Sequence, residues 1–197
     1  MRKIVQGYWI IKRFIYLDLQ YRIKMEVYSM KKTKAMKVAY YGMLVALAFI
    51  FSYVETLIPF QFPLPGIKLG LANIVVLVAL YLFGPRDAFV VSCIRIVLSG
   101  FTFGNPFSML YSLSGGLLSW LVMSLCKRIK DFSVIGVSVT GGIAHNIGQI
   151  VMAGLVLRTT AVVSYLPMLL IAGVVTGIFI GMLGYIIIET QKKNKLM

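Results

Sequence analysis

Charged residues, and acidic residues above all, are scarce in this chain. Only 13% of the 197 residues are charged, and 6 Asp and Glu stand against 20 Lys and Arg. A soluble domain has about 25% charged residues, whereas 59% of this chain is hydrophobic. A water-soluble fold cannot bury so large an apolar fraction, so the sequence predicts an integral membrane protein.

The residue patterns of common catalytic and cofactor sites are also missing. The closest two acids, Asp18 and Glu26, are eight residues apart, so no carboxylate pair is placed to hold Mg²⁺ against a diphosphate. Cys93 and Cys126 show neither zinc-site nor disulfide spacing. No Gly-rich nucleotide loop or serine nucleophile elbow is found. We therefore predict no catalytic residue, metal or cofactor, and a chain that is not an enzyme on its own.

Six apolar runs dominate what is present. The third run contains Arg95, and the sixth exceeds the roughly 20 residues that one span needs. Because proline suits a first helical turn, the sixth helix is predicted to begin near Leu166 and Pro167. The predicted fold class is an all-α bundle of about six transmembrane helices, covering residues 38–58, 69–85, 88–103, 106–126, 132–157 and 159–188.

Basic residues fall mainly on one side of this predicted bundle. Seventeen of the 20 lie before the first run, in the turns after the second and fourth runs, or in the C-terminal tail. Lys68 and Arg158 alone fall on the opposite side. The positive-inside rule then predicts both termini inside and these two residues outside. The basic residues read as orientation signals, and no aromatic-interleaved basic patch indicates a nucleic-acid partner.

The chain divides into a basic N-terminal segment (1–34), a six-helix membrane domain (35–190) and a basic cytoplasmic tail (191–197). The first segment has no signal-peptide cleavage site. One interpretation is a basic amphipathic segment on the inner leaflet. The other, which we favour, is that translation starts at Met30, because Met30-Lys31-Lys32 directly precedes the first span.

Polar residues inside the runs are the candidates for function, because such groups usually face a bundle interior or a cavity. Glu55 and Arg95 form either part of a polar site or a structural ion pair that joins two helices. Gly141, His145 and Gln149 are spaced by four and share one helix face. With Asn146 beside them, they either line a pocket or hydrogen-bond across a helix contact.

A loop rich in proline and glycine, at residues 59–73, links the first two runs on the outer side. Lys68 stands just before the second run, where backbone N–H groups are free. The loop is therefore either an anion site or a rigid connector with Lys68 at the membrane interface.

Small residues recur every four positions in two runs. Gly173, Gly177 and Gly181 predict close helix packing in the sixth run, and no ligand is assigned to them. A second stripe in the first run predicts docking of a partner subunit or of another helix of the bundle; its members are Ala35, Ala39, Gly42 and Ala46.

Several motifs together resemble one small bacterial membrane family, over about residues 36–189. That family is the Gx transporter family, also named heptaprenyl diphosphate synthase component I, and it is similar to the S components of energy-coupling-factor (ECF) transporters. The motifs are Glu55-Thr56-Leu57-Ile58-Pro59, Gly66-Ile67-Lys68-Leu69-Gly70-Leu71-Ala72-Asn73, Ser112-Leu113-Ser114-Gly115-Gly116, Ala144-His145-Asn146-Ile147-Gly148-Gln149, and Tyr165-Leu166-Pro167 with Gly173, Thr176 and Gly177.

The likeness to S components implies a multi-pass protein of the bacterial cytoplasmic membrane with an outward-facing pocket capped by the first loop. It also implies docking to an energising module through small residues of the first helix. We expect a solute-binding uptake protein for a small anionic molecule. Its predicted binding residues are Lys68, Asn73, Arg95, His145, Asn146 and Gln149.

The synthase name implies prenyl chain elongation, which uses aspartate-rich motifs that this chain lacks. Under that name the chain would be a membrane accessory subunit of a soluble prenyl diphosphate synthase. A third alternative is a scaffold of a membrane redox complex that transports nothing, in which the polar residues are structural.

Overall fold

The computed structural model describes residues 34–57, 68 and 70–196. Helices account for nearly all of this part of the chain, which contains no strand. The six α-helices are α1 (Lys34–Leu57), α2 (Asn73–Leu82), α3 (Pro85–Phe103), α4 (Pro106–Cys126), α5 (Val134–Leu157) and α6 (Leu166–Leu196), and a 3₁₀ turn (Ala161–Tyr165) precedes α6. The predicted N-terminal segment, apart from Lys34, and the loop at 58–67 lie outside the described residues.

Four segments are long and apolar enough to cross a membrane, by length and composition: Val38–Leu57, Pro106–Cys126, Val134–Leu157 and Ala161–Gln191. The prediction of about six spans is thus met in helix number but only partly in helix length. Helix α3 has 19 residues but carries Arg86, Asp87 and Arg95.

Helix α2 corrects the predicted second span at 69–85. Its 10 residues extend about 15 Å, half of the roughly 30 Å of a bilayer core. The helix is short because Gly70, at φ +86°, and Gly84, at φ +111°, interrupt the run at its two ends. Every residue from Asn73 to Leu80 is buried, so α2 is surrounded by protein on all sides.

The ends of the other helices follow local sequence signals. Asn105 caps α4: its side chain accepts from the Ser108 N–H, and the Ser108 hydroxyl accepts from the Asn105 N–H. The Ser133 hydroxyl caps α5 by accepting from the Gly136 N–H at 3.0 Å. Helix α6 begins at Leu166, as predicted, and continues through the predicted tail to Leu196.

The core forms around α2. Leu77 and Leu80 pack with side chains of the five other helices, including Ala48, Met123 and Ile180. Helix α5 packs along both α4 and α6, while α1 lies against α2 and α3. The outward faces are apolar: Phe101 is 79% exposed and Leu155 is 69% exposed. An apolar exterior around buried polar side chains is typical of a membrane protein.

Candidate functional site

Five elements bring one polar cluster together at the entry to α2. Glu55 lies in the last turn of α1, Lys68 in the linker, and Asn73 at the first residue of α2. Arg95 comes from the middle of α3, and His145 and Gln149 come from α5. All are buried except Lys68, which is half-buried. We call Glu55, Lys68, Asn73, Arg95, His145 and Gln149 the α2-entry cluster.

Glu55 binds the backbone just before α2. The Gly70 N–H donates to Glu55 Oε1 at 2.5 Å, and the nearby Leu71 N–H also favours the charged carboxylate. Free N–H groups at a helix start carry partial positive charge, so a carboxylate stabilises this end of α2. Gly70 is required here because a Cβ would lie 2.9 Å from Asn73 Nδ2 and 3.2 Å from His145 Cδ2.

Gln149 hydrogen-bonds both backbone groups of Lys68, the linker residue before α2. Its Oε1 accepts from the Lys68 N–H at 3.3 Å, and its Nε2 donates to the Lys68 carbonyl at 3.3 Å. These two bonds set the orientation of the amide. If its oxygen and nitrogen were exchanged, the amide NH₂ would face the Lys68 N–H and the amide oxygen would face the Lys68 carbonyl. Gln149 therefore positions Lys68 by its backbone and leaves the ammonium group available.

The same amide determines the state of His145. Gln149 Nε2 lies 2.6 Å from His145 Nε2. Since the amide nitrogen is a donor, His145 Nε2 must accept, and the imidazole is neutral with its proton on Nδ1. That Nδ1 is buried and faces the backbone of Gly115, where an added Cβ would lie 2.9 Å away. His145 thus supports Gln149 through this contact.

Arg95 has one weak side-chain partner and an open edge. Its Nη2 donates to Asn73 Oδ1 at 3.3 Å, and its Nε is buried without a partner. Glu55 and Arg95 attract each other electrostatically. Their hydrogen bonds nevertheless go to different groups, Gly70 and Asn73. Glu55 and Arg95 therefore interact electrostatically within the α2-entry cluster but form no hydrogen bond with each other.

Lys68 is the cluster residue that lies outside the helices. Partial burial lowers the pKa of its ammonium group by desolvation, and Arg95 lowers this pKa further. The Glu55 carboxylate acts in the opposite direction. The ammonium has no hydrogen-bond partner among the residues that the structure describes.

Asn146 lies on a different face of α5 from His145 and Gln149. Its Nδ2 donates to the Leu169 carbonyl of α6 at 2.5 Å, and its Oδ1 is buried without a partner. A Cβ on Gly173 would lie 2.8 Å from this Nδ2. Asn146 therefore joins α5 to α6, apart from the α2-entry cluster to which the sequence assigned it.

A family comparison covers the whole of this cluster. Residues 44–187 match the family model described as heptaprenyl diphosphate synthase component I. The chain belongs to the heptaprenyl diphosphate synthase component I family. No curated protein and no solved structure matches the chain. The family match includes every residue of the α2-entry cluster and leaves out Ala35, Ala39 and Gly42.

Glycines outside the two small-residue stripes bring α4 and α5 together. A Cβ on Gly148 would lie 2.8 Å from Gly115 Cα, and a Cβ on Gly115 would lie 2.7 Å from the His145 carbonyl. The Ser114 hydroxyl donates to the Gly148 carbonyl at 2.8 Å. The Ser-Gly-Gly run at 114–116 was the available signal, because small residues in a span allow close helix approach.

The two small-residue stripes differ in their surroundings. A Cβ on Gly177 would lie 2.7 Å from Val139 Cα, and one on Gly173 would lie 2.9 Å from the Gly142 carbonyl. The α6 stripe is therefore used for packing against α5, as predicted. In α1, Ala39, Gly42 and Ala46 are exposed, and Gly42 has open space beside it; the Ala35 side chain lies outside the described part.

Metal-binding potential is low within the residues that the structure describes. They contain no group of three His, Cys, Asp or Glu side chains that could hold an ion. Cys93 and Cys126 are both free thiols. The chemistry that the α2-entry cluster offers is hydrogen bonding and positive charge.

Proposed function

We propose that this chain binds a small anionic solute at the α2-entry cluster and takes part in its uptake across the bacterial cytoplasmic membrane. The observation that carries the proposal is the pair of cationic groups, Arg95 and Lys68, left open by a surrounding hydrogen-bond network. Buried donors without partners are costly, so each one in a native structure calls for an explanation, and a bound anion would supply the missing partner here.

Several parts of the proposal extend beyond the site. The charge distribution supports termini on the inner side, with Lys68 facing outward to meet the solute. The open stripe at Ala39, Gly42 and Ala46 supports docking of an energising module, in the manner of ECF S components. Burial of α2 between the long helices supports a bundle that packs as one body, with the solute entering beside the linker.

A thermal-shift screen of purified protein against small organic anions tests solute binding. We expect some anions to raise Tm in the wild type, and Lys68→Ala and Arg95→Lys to reduce this rise. Arg95→Lys keeps the charge but loses the planar fork that binds a two-oxygen anion. Lys130→Ala is the matched control, because it removes a lysine from an exposed turn.

Uptake in membrane vesicles provides the second measurement. Solute accumulation that falls in Lys68→Ala but not in Lys130→Ala supports transport. Full uptake in both Lys68→Ala and His145→Ala would end the proposal, and absence of any uptake would favour a scaffold.

The family description supports a second candidate, a membrane accessory subunit of a soluble prenyl diphosphate synthase. Co-purification of a synthase with the chain, together with altered product length when the chain is deleted, is the expected result. Normal prenyl products in the deletion strain would exclude this role.

A further inference from the structure

The charges of the α2-entry cluster do not cancel. The Arg95 guanidinium and the Lys68 ammonium are positive, and Glu55 is the one acid. Burial has the largest effect on Glu55 and disfavours its ionised form, whereas the Gly70 and Leu71 N–H groups and the Lys68 and Arg95 charges favour it. Glu55 is taken as ionised because its carboxylate accepts directly from the Gly70 N–H. His145 adds no charge, because its Nε2 accepts from Gln149. With Glu55 ionised, the cluster carries one excess positive charge in a mostly buried region.

Among the residues that the structure describes, Glu55 is the one acid that interacts electrostatically with Lys68 and Arg95. Residues 58–67 contain neither Asp nor Glu, and Asp18 and Glu26 precede the family match. Asp87 accepts from the Tyr41 hydroxyl at 2.6 Å, two turns before Arg95 in α3. The last two acids lie in the turn after α4 and near the end of α6: they are Asp131 and Glu189.

The Arg95 guanidinium presents its donors in a planar arrangement that suits a two-oxygen anion. Arg95 is 5% exposed, and its Nε has no partner, while its Nη2 makes one long bond to Asn73. The Nε–H and the adjacent Nη–H of a guanidinium form two parallel donors, which match the two oxygens of a carboxylate. The half-buried Lys68 ammonium adds a single point charge to this fork.

We propose that the α2-entry cluster recognises a monocarboxylate group, and that Glu55 sets this selectivity by cancelling one of the two cations. This inference rests on the proposed function and specifies its solute class. A monoanion makes the occupied cluster neutral. A dianion would leave one negative charge uncompensated, and a neutral analogue would leave the positive charge, each of which is unfavourable away from water.

A matched set of four-carbon probes tests the proposal: butyrate, succinate and butyramide carry one, two and no negative charges. Tm of the purified full-length protein is followed against each probe at constant ionic strength. In the wild type, butyrate should stabilise most, with an apparent affinity about tenfold above succinate. Glu55→Gln keeps an acceptor for the Gly70 N–H but adds one unit of charge, so succinate should then bind more tightly than butyrate.

Lys68→Gln provides a second variant if Glu55→Gln does not fold. It removes one cation from the linker, and butyrate should then lose its advantage over butyramide. Stronger binding of succinate in the wild type, or an unchanged order in the folded variants, would overturn the monocarboxylate assignment and leave anion binding intact. If none of the probes stabilises the wild type, the assignment is also overturned, and vesicle uptake judges the proposed function separately.

Discussion

At the scale of single residues, the polar side chains of the α2-entry cluster have two different tasks. Glu55 hydrogen-bonds the backbone of Gly70, and Gln149 hydrogen-bonds the backbone of Lys68. Arg95 keeps its Nε–H open, and no side-chain hydrogen bond is formed by the Lys68 ammonium among the described residues. From the sequence, His145 and Gln149 either line a pocket or hydrogen-bond across a helix contact; in the structure Gln149 bonds the Lys68 backbone, and His145 contacts Gln149. A polar residue in a span therefore contributes to a site either by contacting the ligand or by positioning another residue that contacts it.

Gly70→Ala tests the linker at this scale. The substitution meets both a positive φ and close contacts to Asn73 and His145, so we expect the free energy of unfolding to fall by about 2 kcal/mol or more. Gly84→Ala is the control, because Gly84 also has a positive φ but no atom lies within 4 Å of its added Cβ. Denaturant unfolding of both variants measures the difference; equal losses would mean that the contacts at Gly70 carry no weight.

At the scale of elements, α2 is a short buried helix with a charged group bonded near each end. Glu55 binds the N–H groups before it, and Lys127 Nζ donates to the Leu80 carbonyl at 2.6 Å. The Lys127 ammonium also lies 5.0 Å from the centre of the Tyr81 ring. A carboxylate at the N-terminus and an ammonium at the C-terminus both complement the helix dipole, which stabilises an element too short to be stable alone.

Lys127→Met isolates the C-terminal half of this arrangement. It keeps the apolar stem and removes the charge, so we expect a loss of about 1–2 kcal/mol in the free energy of unfolding. Lys130→Met, in the exposed turn three residues later, should leave stability unchanged. If the two variants unfolded at the same denaturant concentration, Lys127 would not stabilise α2.

At the scale of the whole molecule, glycines decide which helix faces are closed and which are open. Close contacts at Gly173, Gly177 and Gly181 join α6 to α5, whereas Gly42 of α1 has open space beside it. The same spacing therefore serves internal packing in one helix and an exposed surface in another. Spacing alone does not distinguish these two uses.

Gly177→Leu and Gly42→Leu are a matched pair for this difference. The first places a large side chain against the backbone of Val139, so we expect a protein that fails to fold or loses several kcal/mol. The second should elute and melt like the wild type, because its side chain enters open space. Size-exclusion chromatography and thermal unfolding measure both; a misfolded Gly42→Leu protein would show that the α1 stripe packs internally.

Local sequence rules determined much of this fold. The helix ends at Asn105 and Leu166 and the four long apolar segments follow from capping, proline placement and composition, which act within one or two turns. The polar side chains to examine were also evident from their rarity in apolar runs. Tertiary structure alone decided that α2 is a buried half-length helix, that Glu55 binds Gly70 rather than Arg95, and that Asn146 faces α6. These features depend on how helices pack, because partners such as Lys68 and Gln149, 81 residues apart, meet only when the bundle closes.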